Sequence, residues 1–128
     1  MNEIKNLEPQ IVWKNFHALT RVPRPSGHLE KVQQFLLDWA AAHGIEAFKD
    51  KGENIVMRKP ATPGMEERAA VILQSHMDMV CEKEPGCTKD MAGEGLDLLV
   101  EDGCVRAKGT TLGGDDGIAV AMALAILD

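Results

Sequence analysis

The feature that most constrains the fold of this chain is a continuous apolar run from Ala69 to Gln74. A run of this length without polar alternation predicts a strand whose two faces are both covered. Such a strand lies inside a sheet that carries helices on its faces. The run therefore predicts an α/β fold in which this segment is a central strand.

Helix signals stand on both sides of that run. Pro9 fits the first turn of a helix whose apolar residues recur at helical spacing as far as Leu19. A second helix follows, with Ser26 as its predicted N-cap and Gly44 at the position of a C-terminal cap. A third helix, apolar over most of its surface, is predicted over Ile118–Leu127 and should have neighbours on several sides.

Two hairpins are predicted as well. Segments Ile45–Lys49 and Asn54–Arg58 flank the polar turn DKGEN, and segments Leu96–Val100 and Cys104–Ala107 flank EDG. Together with the central strand they predict an α/β fold class, a mixed β-sheet flanked by helices in αβα layers. No internal repeat or long linker divides the 128 residues, so we expect one domain at most.

Composition argues against several classes of partner. The formal charge of -6 and the lack of a basic tract argue against nucleic acid. No apolar run approaches the roughly 18 residues of a membrane span, so no membrane partner is expected. The polar start MNEIKNLEPQ does not match a secretory signal. The 3 cysteines lack CxxC spacing, which predicts reduced thiols and a cytoplasmic location rather than disulfides or a thiolate zinc site.

His76 and Asp78 follow the predicted central strand directly. Side chains alternate along an extended segment, so these two should project to one side and Met77 and Met79 to the other. Ligands of α/β proteins bind beyond the carboxyl ends of the strands. A histidine whose second ring nitrogen meets a carboxylate is a common metal ligand. The alternative is a structural histidine that only hydrogen-bonds to a nearby carboxylate.

A second set of candidate residues lies in GTTLGGDDG, just before the third predicted helix. Gly113 and Gly114 allow backbone conformations that other residues avoid. The adjacent carboxylates of Asp115 and Asp116 repel each other. Capping of the helix N-terminus explains Asp116 well, whereas a divalent cation would offset the repulsion of the pair. Asp115 is the candidate bridging carboxylate.

Other catalytic and binding motifs do not match. GTTLGG lacks the lysine of a P-loop and the G-x-G-x-x-G spacing, and two acids at a helix start would repel phosphate. Ser75 has no G-x-S-x-G turn around it, which argues against a serine hydrolase. The acidic loop also differs from the calcium-binding pattern.

Taken together, SHMDMV and GTTLGGDDGIA resemble the metal-binding core of the M20 metallopeptidases. The resemblance covers nearly the whole chain, from about Pro9 to the end. Three further stretches narrow it to the aminoacyl-histidine dipeptidases, also called Xaa-His dipeptidases: RPSGHLE, NIVMRKPATPGMEER and VRAKGTTLGGDDG.

The resemblance implies a role for three residues. His76 would ligate one zinc ion, Asp115 would bridge two, and Asp78 would sit behind His76 as the orienting acid of the catalytic set. The peptide bond from Asp115 to Asp116 would be cis. The implied cofactors are two Zn2+, with Mn2+ or Co2+ as alternatives. The implied reaction is hydrolysis of small peptide substrates, dipeptides with a C-terminal histidine, by a water that bridges the metals. A homodimer is compatible with the full-length form.

The resemblance also implies that the site is incomplete in this chain. The family needs a glutamate general base, a glutamate ligand, a further carboxylate ligand and a late histidine, which we expect outside residues 1–128. We therefore expect these residues to be the N-terminal portion of a metallopeptidase catalytic domain, without its remainder or a lid-like domain, and to be inactive alone. The alternative is a non-catalytic, stand-alone module of the same fold that binds a partner or one weakly held metal.

Overall fold

Residues 2–128, the part of the chain that the structure describes, form four helices and four strands in this computed structural model. In chain order they are α1 (Asn2–Lys5), α2 (Gln10–Thr20), α3 (Glu30–Ala42), β1 (Glu46–Lys49), β2 (Ile55–Arg58), β3 (Leu98–Glu101), β4 (Cys104–Ala107) and α4 (Gly114–Leu127). The fold is mixed α/β, as the sequence predicts.

The end of α3 confirms the predicted C-terminal cap. Gly44 has a φ of 67°, in the left-handed region that glycine adopts without a steric penalty. Its N–H donates to Ala41 O at 3.2 Å, and the N–H of Ile45 donates to Ala40 O at 2.9 Å. These two bonds are the Schellman motif, which satisfies carbonyls that the helix end leaves unpaired.

The predicted N-cap of α3 is wrong. The helix begins at Glu30, the residue at its N-cap position is Leu29, and no side chain caps it. Ser26 lies earlier in the loop, and its hydroxyl donates to a carboxylate oxygen of Asp78 instead. A local capping signal was therefore overridden by a contact between distant parts of the chain.

Both predicted hairpins form. Strands β1 and β2 pair antiparallel, with Glu46 opposite Arg58, and β3 and β4 pair antiparallel, with Leu98 opposite Ala107. In the turn between β1 and β2, the Asp50 carboxylate accepts hydrogen bonds from the backbone N–H groups of Gly52 and Asn54, as in an Asx turn. The described strands form two separate two-stranded sheets.

The central strand predicted over Ala69–Gln74 is not formed within the described residues. This segment has no assigned secondary structure, and the side chains of Val71 and Ile72 are 82% and 89% exposed. A strand exists only when a second strand accepts and donates its backbone hydrogen bonds. Residues 2–128 supply no such partner for this segment, so the prediction of a strand here is wrong for this structure.

Helix α4 lies between two clusters of buried side chains. The first cluster consists of Ile4, Phe16, Met79, Leu96, Leu98 and Ala121. The second consists of Leu19, Val32, Leu36, Val120 and Leu124. Consecutive residues of α4 thus enter different clusters, whereas Met122 and Ile126 of the same helix are 50% and 65% exposed, so the neighbours expected on several sides are present only in part within residues 2–128. None of the helices within residues 2–128 has the length and apolar character that a bilayer crossing requires.

One buried guanidinium joins the loops between these elements. The side chain of Arg24 is 1% exposed. Its Nη1 donates to Met77 O at 3.0 Å and to Asp78 O at 3.2 Å, and its Nη2 donates to Gly113 O at 2.8 Å. Because a buried charge is costly unless it is hydrogen-bonded, these carbonyls are what make its position tolerable.

We expect Arg24→Met to lower the free energy of unfolding of this chain by about 3 kcal/mol, since hydrogen bonds to a charged group are lost and carbonyls are left unpaired. Urea unfolding followed by circular dichroism measures the change. Arg68→Met is the matched control, because Arg68 is exposed and its side chain makes no hydrogen bond within residues 2–128. The control should stay within about 0.5 kcal/mol. Equal losses in the two variants would contradict this role of Arg24.

Candidate functional site

The segment that carries His76 and Asp78 is held against the loop between α2 and α3. The N–H of Met79 donates to Arg24 O at 2.9 Å, and the N–H of Ser26 donates to Met79 O at 3.2 Å, in the pattern of a short parallel strand pair. Met79 is buried, whereas the side chains of His76 and Asp78 are 54% and 33% exposed. The predicted placement of the two polar side chains on one side of the segment is confirmed.

The second part of the site is the turn that leads into α4. Gly113 has a φ of 71°, and a Cβ at this position would lie 2.5 Å from Arg24 Nη2 and 2.8 Å from Met79 Sδ. Glycine is therefore needed both for the backbone conformation and for the close approach. The peptide bond from Asp115 to Asp116 is cis, as the resemblance implies, and both residues have non-helical backbone angles.

The capping interpretation of Asp116 is wrong. No side chain caps the N-terminus of α4. Instead, Asp116 Oδ2 accepts a hydrogen bond from the backbone N–H of His76 at 3.2 Å. This carboxylate therefore links the turn before α4 to the segment that carries the histidine.

The structure brings the three predicted site residues together. His76 Nδ1 lies 2.9 Å from Asp78 Oδ1, and His76 Nε2 lies 2.9 Å from Asp115 Oδ1. The hydroxyl of Ser26 donates to Asp78 Oδ2. The imidazole is thus placed between two carboxylates, one on each ring nitrogen.

Both contacts of the ring can be hydrogen bonds only when His76 is protonated, because a neutral imidazole has one N–H. The hydrogen bond to Asp115, followed by that to Asp78, raises the pKa of His76 above its usual value. The hydrogen bond from Ser26, followed by that from His76, lowers the pKa of Asp78. All of these groups are partly exposed, so solvent screening weakens each effect.

The two pKa shifts make the stability of the folded chain depend on pH in opposite ways. A raised pKa means that the His76 contacts stabilise the folded chain fully below about pH 6.5, the pKa of an unfolded histidine, and lose this contribution as the pH rises through the raised pKa. The lowered pKa of Asp78 gives a contribution that is present at neutral pH and is lost as the pH falls through it.

A neutral ring must give up one of its two contacts. Asp78 is the better-held partner, since its side chain is 33% exposed and hydrogen-bonded by Ser26, whereas the side chain of Asp115 is 95% exposed. With the proton on Nδ1, the lone pair of Nε2 faces a carboxylate oxygen. A cation placed there would replace the proton that joins His76 to Asp115.

His76 and Asp115 are donors of the chemical types that zinc binds, but they are fewer than a zinc ion needs. Zinc takes imidazole nitrogen and carboxylate oxygen, usually with four ligands. His76 and Asp115 offer one of each kind. Within residues 2–128, however, no group of three or more histidine, cysteine, aspartate or glutamate side chains is arranged to hold a metal ion.

Sequence reasoning missed two residues that support this site. Arg24 and Ser26 both lie in RVPRPSG, which has the composition of a helix-breaking loop. Their partners are more than 50 positions away, as in the contact of Ser26 with Asp78. No local pattern signals a pairing at that distance.

We expect Asp115→Asn and Asp78→Asn each to lower the pKa of His76 in the metal-free chain, because each removes a negative charge that favours the imidazolium. An NMR titration of the ring protons measures it. Asp102→Asn, on the exposed turn between β3 and β4, is the control and should leave the pKa of His76 unchanged. If the pKa of His76 is the same in Asp115→Asn, in Asp78→Asn and in the unmodified chain, the ring does not lie between the two carboxylates in solution.

Comparison with known proteins shows that this chain is similar in sequence and fold to parts of peptidases. No family model matches the chain. It is 40% identical over 127 residues to the cytosol non-specific dipeptidase of Escherichia coli (strain K12), a match that covers 99% of this chain and 26% of that protein. The crystal structure of aminoacylhistidine dipeptidase from Vibrio alginolyticus superposes with a TM-score of 0.93 at 38% identity, and covers 99% of this chain and 27% of that one.

A tripeptidase from Staphylococcus aureus subsp. aureus mu50 shows the same fold, with a TM-score of 0.73 at 24% identity over 94% of this chain and 32% of that one. The chain thus spans about a quarter of the length of the dipeptidases that it matches. The resemblance to dipeptidases is confirmed: this chain is homologous to a part of the cytosol non-specific and aminoacylhistidine dipeptidases, and its fold matches part of a dipeptidase structure.

Proposed function

We propose that this chain is part of a metal-dependent dipeptidase of the M20 family, in which His76 and Asp115 are zinc ligands and Asp78 orients His76. The observation that carries the proposal is the arrangement of His76, with one ring nitrogen against Asp78 and the other 2.9 Å from Asp115 Oδ1. A histidine that ligates a metal commonly donates its second N–H to a carboxylate in this way.

Asp115 supports a site for two metal ions. Its carboxylate is almost fully exposed, and its Oδ2 makes no hydrogen bond within residues 2–128. One oxygen near the histidine and a second oxygen left for another cation are what a bridging carboxylate requires. Zn2+ is the ion that we propose, with Mn2+ or Co2+ as substitutes that accept the same donors.

When bound, the metal ions would lower the pKa of a water molecule and polarise the scissile carbonyl of the substrate. The residues of this chain orient and hold His76. Asp78 accepts a hydrogen bond from Nδ1–H of His76 and so keeps Nε2 available, and Asp116 holds the backbone of His76 by accepting a hydrogen bond from its N–H. The general base and the remaining ligands of the proposed site lie outside residues 2–128.

The names of two relatives support the substrate class that we propose. One is named a cytosol non-specific dipeptidase and another an aminoacylhistidine dipeptidase. We therefore propose that the whole protein hydrolyses dipeptides, including those with a C-terminal histidine, and that it works in the cytoplasm. The described residues contain the proposed metal-binding pair, whereas nothing in them distinguishes one dipeptide from another.

The first test is zinc binding by isothermal titration calorimetry. The unmodified chain should bind zinc near pH 7.5, and His76→Ala or Asp115→Ala should each weaken binding by about 100-fold or more, because loss of a ligand exceeds the 10- to 100-fold cost of losing its support. Binding should also weaken near pH 5.5, where protons compete for His76 Nε2.

Asp102→Asn is the control for that titration, because it removes the charge of an exposed carboxylate on the turn between β3 and β4 and asparagine tolerates the positive φ at this position. It should bind zinc as the unmodified chain does. If the unmodified chain binds no zinc, or if His76→Ala binds it equally well, the proposal that residues 2–128 contain a preformed metal-binding pair is wrong.

The second test is hydrolytic activity of the chain by itself. We expect no release of free amino acid from a dipeptide with a C-terminal histidine, even with zinc present, because two ligands and an orienting acid do not supply a general base. The His76→Ala chain is the control for a contaminating peptidase, which would give equal rates in both samples. Hydrolysis by the unmodified chain that disappears in His76→Ala would overturn our assignment of the missing groups.

A further inference from the structure

Ser26 makes a contact that the proposed ligand set leaves unexplained. Its hydroxyl donates to Asp78 Oδ2, while Asp78 Oδ1 faces His76 Nδ1 at 2.9 Å. The other acceptor near the hydroxyl, Met79 O, is farther away at 3.4 Å. Because a hydroxyl has one proton, its proton goes to Asp78. Ser26, Asp78 and His76 therefore form one series of hydrogen-bond contacts, from the loop between α2 and α3 to the imidazole.

This series of contacts fixes the orientation of the Asp78 carboxylate relative to the ring. A carboxylate has two equivalent oxygens and can rotate when it is held at one point only. The hydroxyl of Ser26 occupies Oδ2, which leaves Oδ1 for His76. With Oδ1 held in place, the neutral ring keeps its proton on Nδ1 and turns the lone pair of Nε2 towards Asp115.

We propose that Ser26 is a positioning residue: its hydroxyl holds Asp78 so that His76 keeps the tautomer that can bind a cation. The inference deepens the proposed function and rests on it for the identity of the cation. The contact of Ser26 with Asp78 stands independently of any metal. Ser26 acts through Asp78 and does not touch the proposed metal position.

Two structural roles for Ser26 can be separated from this one. The hydroxyl does not cap α3, whose N-cap residue is Leu29. The backbone N–H of Ser26 donates to Met79 O at 3.2 Å, and this bond remains when the side chain is shortened to alanine. The substitution Ser26→Ala therefore removes the hydroxyl contact while it leaves the backbone pairing of the segment in place.

The test uses the metal-free chain with 15N-labelled histidine, near pH 9, where an ordinary histidine is neutral. The 15N shifts of the ring report whether Nδ1 or Nε2 carries the proton. His76 should be mainly the Nδ1–H tautomer in the unmodified chain and should shift towards the Nε2–H tautomer in Ser26→Ala. Ser26→Thr keeps a hydroxyl, and its extra methyl group has room at this exposed position, so it should restore the original tautomer.

Ser75→Ala is the matched control, since Ser75 is the other serine of the chain, is exposed, and makes no side-chain hydrogen bond within residues 2–128. It should leave the tautomer of His76 unchanged. Ser26→Cys offers a second variant if Ser26→Ala does not fold, because a thiol is a weak donor and should loosen the contact in the same direction.

Zinc affinity gives a second readout. Ser26→Ala should bind zinc about tenfold more weakly than the unmodified chain, the low end of the 10- to 100-fold cost of losing a ligand's own partner, because Ser26 acts on His76 only through Asp78; Ser26→Thr should bind like the unmodified chain. A Ser26→Ala chain that keeps the Nδ1–H tautomer overturns the inference. Failure of the unmodified chain to bind zinc counts against the proposed function, and the tautomer measurement still decides the role of Ser26.

Discussion

The Arg24 guanidinium joins the two loops that form the candidate site. It donates to the carbonyls of Met77 and Asp78 on one side and of Gly113 on the other, from a side chain that is 1% exposed. A buried guanidinium needs several acceptors, and these backbone carbonyls supply them for its two Nη atoms. The same contact explains why residue 113 is glycine, since a Cβ there would lie 2.5 Å from Arg24 Nη2.

The geometry of the site depends on these hydrogen bonds of Arg24. Once the two loops are held together, His76 faces Asp78 on one ring nitrogen and Asp115 on the other. In the protonated ring, the proton between Nε2 and Asp115 occupies the position at which we propose that a cation binds. The raised pKa of His76 and the proposed affinity for zinc therefore have one cause, negative charge placed on both sides of an imidazole.

The parts of the fold that were predicted correctly depend on local signals. The two hairpins follow from turn residues between short apolar segments, and the cap at Gly44 follows from the freedom of glycine at positive φ. The prediction of a central strand over Ala69–Gln74 failed because a strand depends on a partner, and residues 2–128 provide none. The same reason explains the misreading of Ser26, whose partner Asp78 is 52 positions away.

The sequence by itself determined the mixed α/β character, the helices α2, α3 and α4, the two hairpins, and the three candidate residues His76, Asp78 and Asp115, because residue type and spacing carry that information locally. Only the tertiary structure decided that Ser26 holds Asp78, that Asp116 holds the backbone of His76, and that Arg24 joins their loops. Each of these is a hydrogen bond between segments 40 or more positions apart. Such contacts exist only after the chain has packed, since the burial of side chains around α4 is what brings the loops within reach of one another.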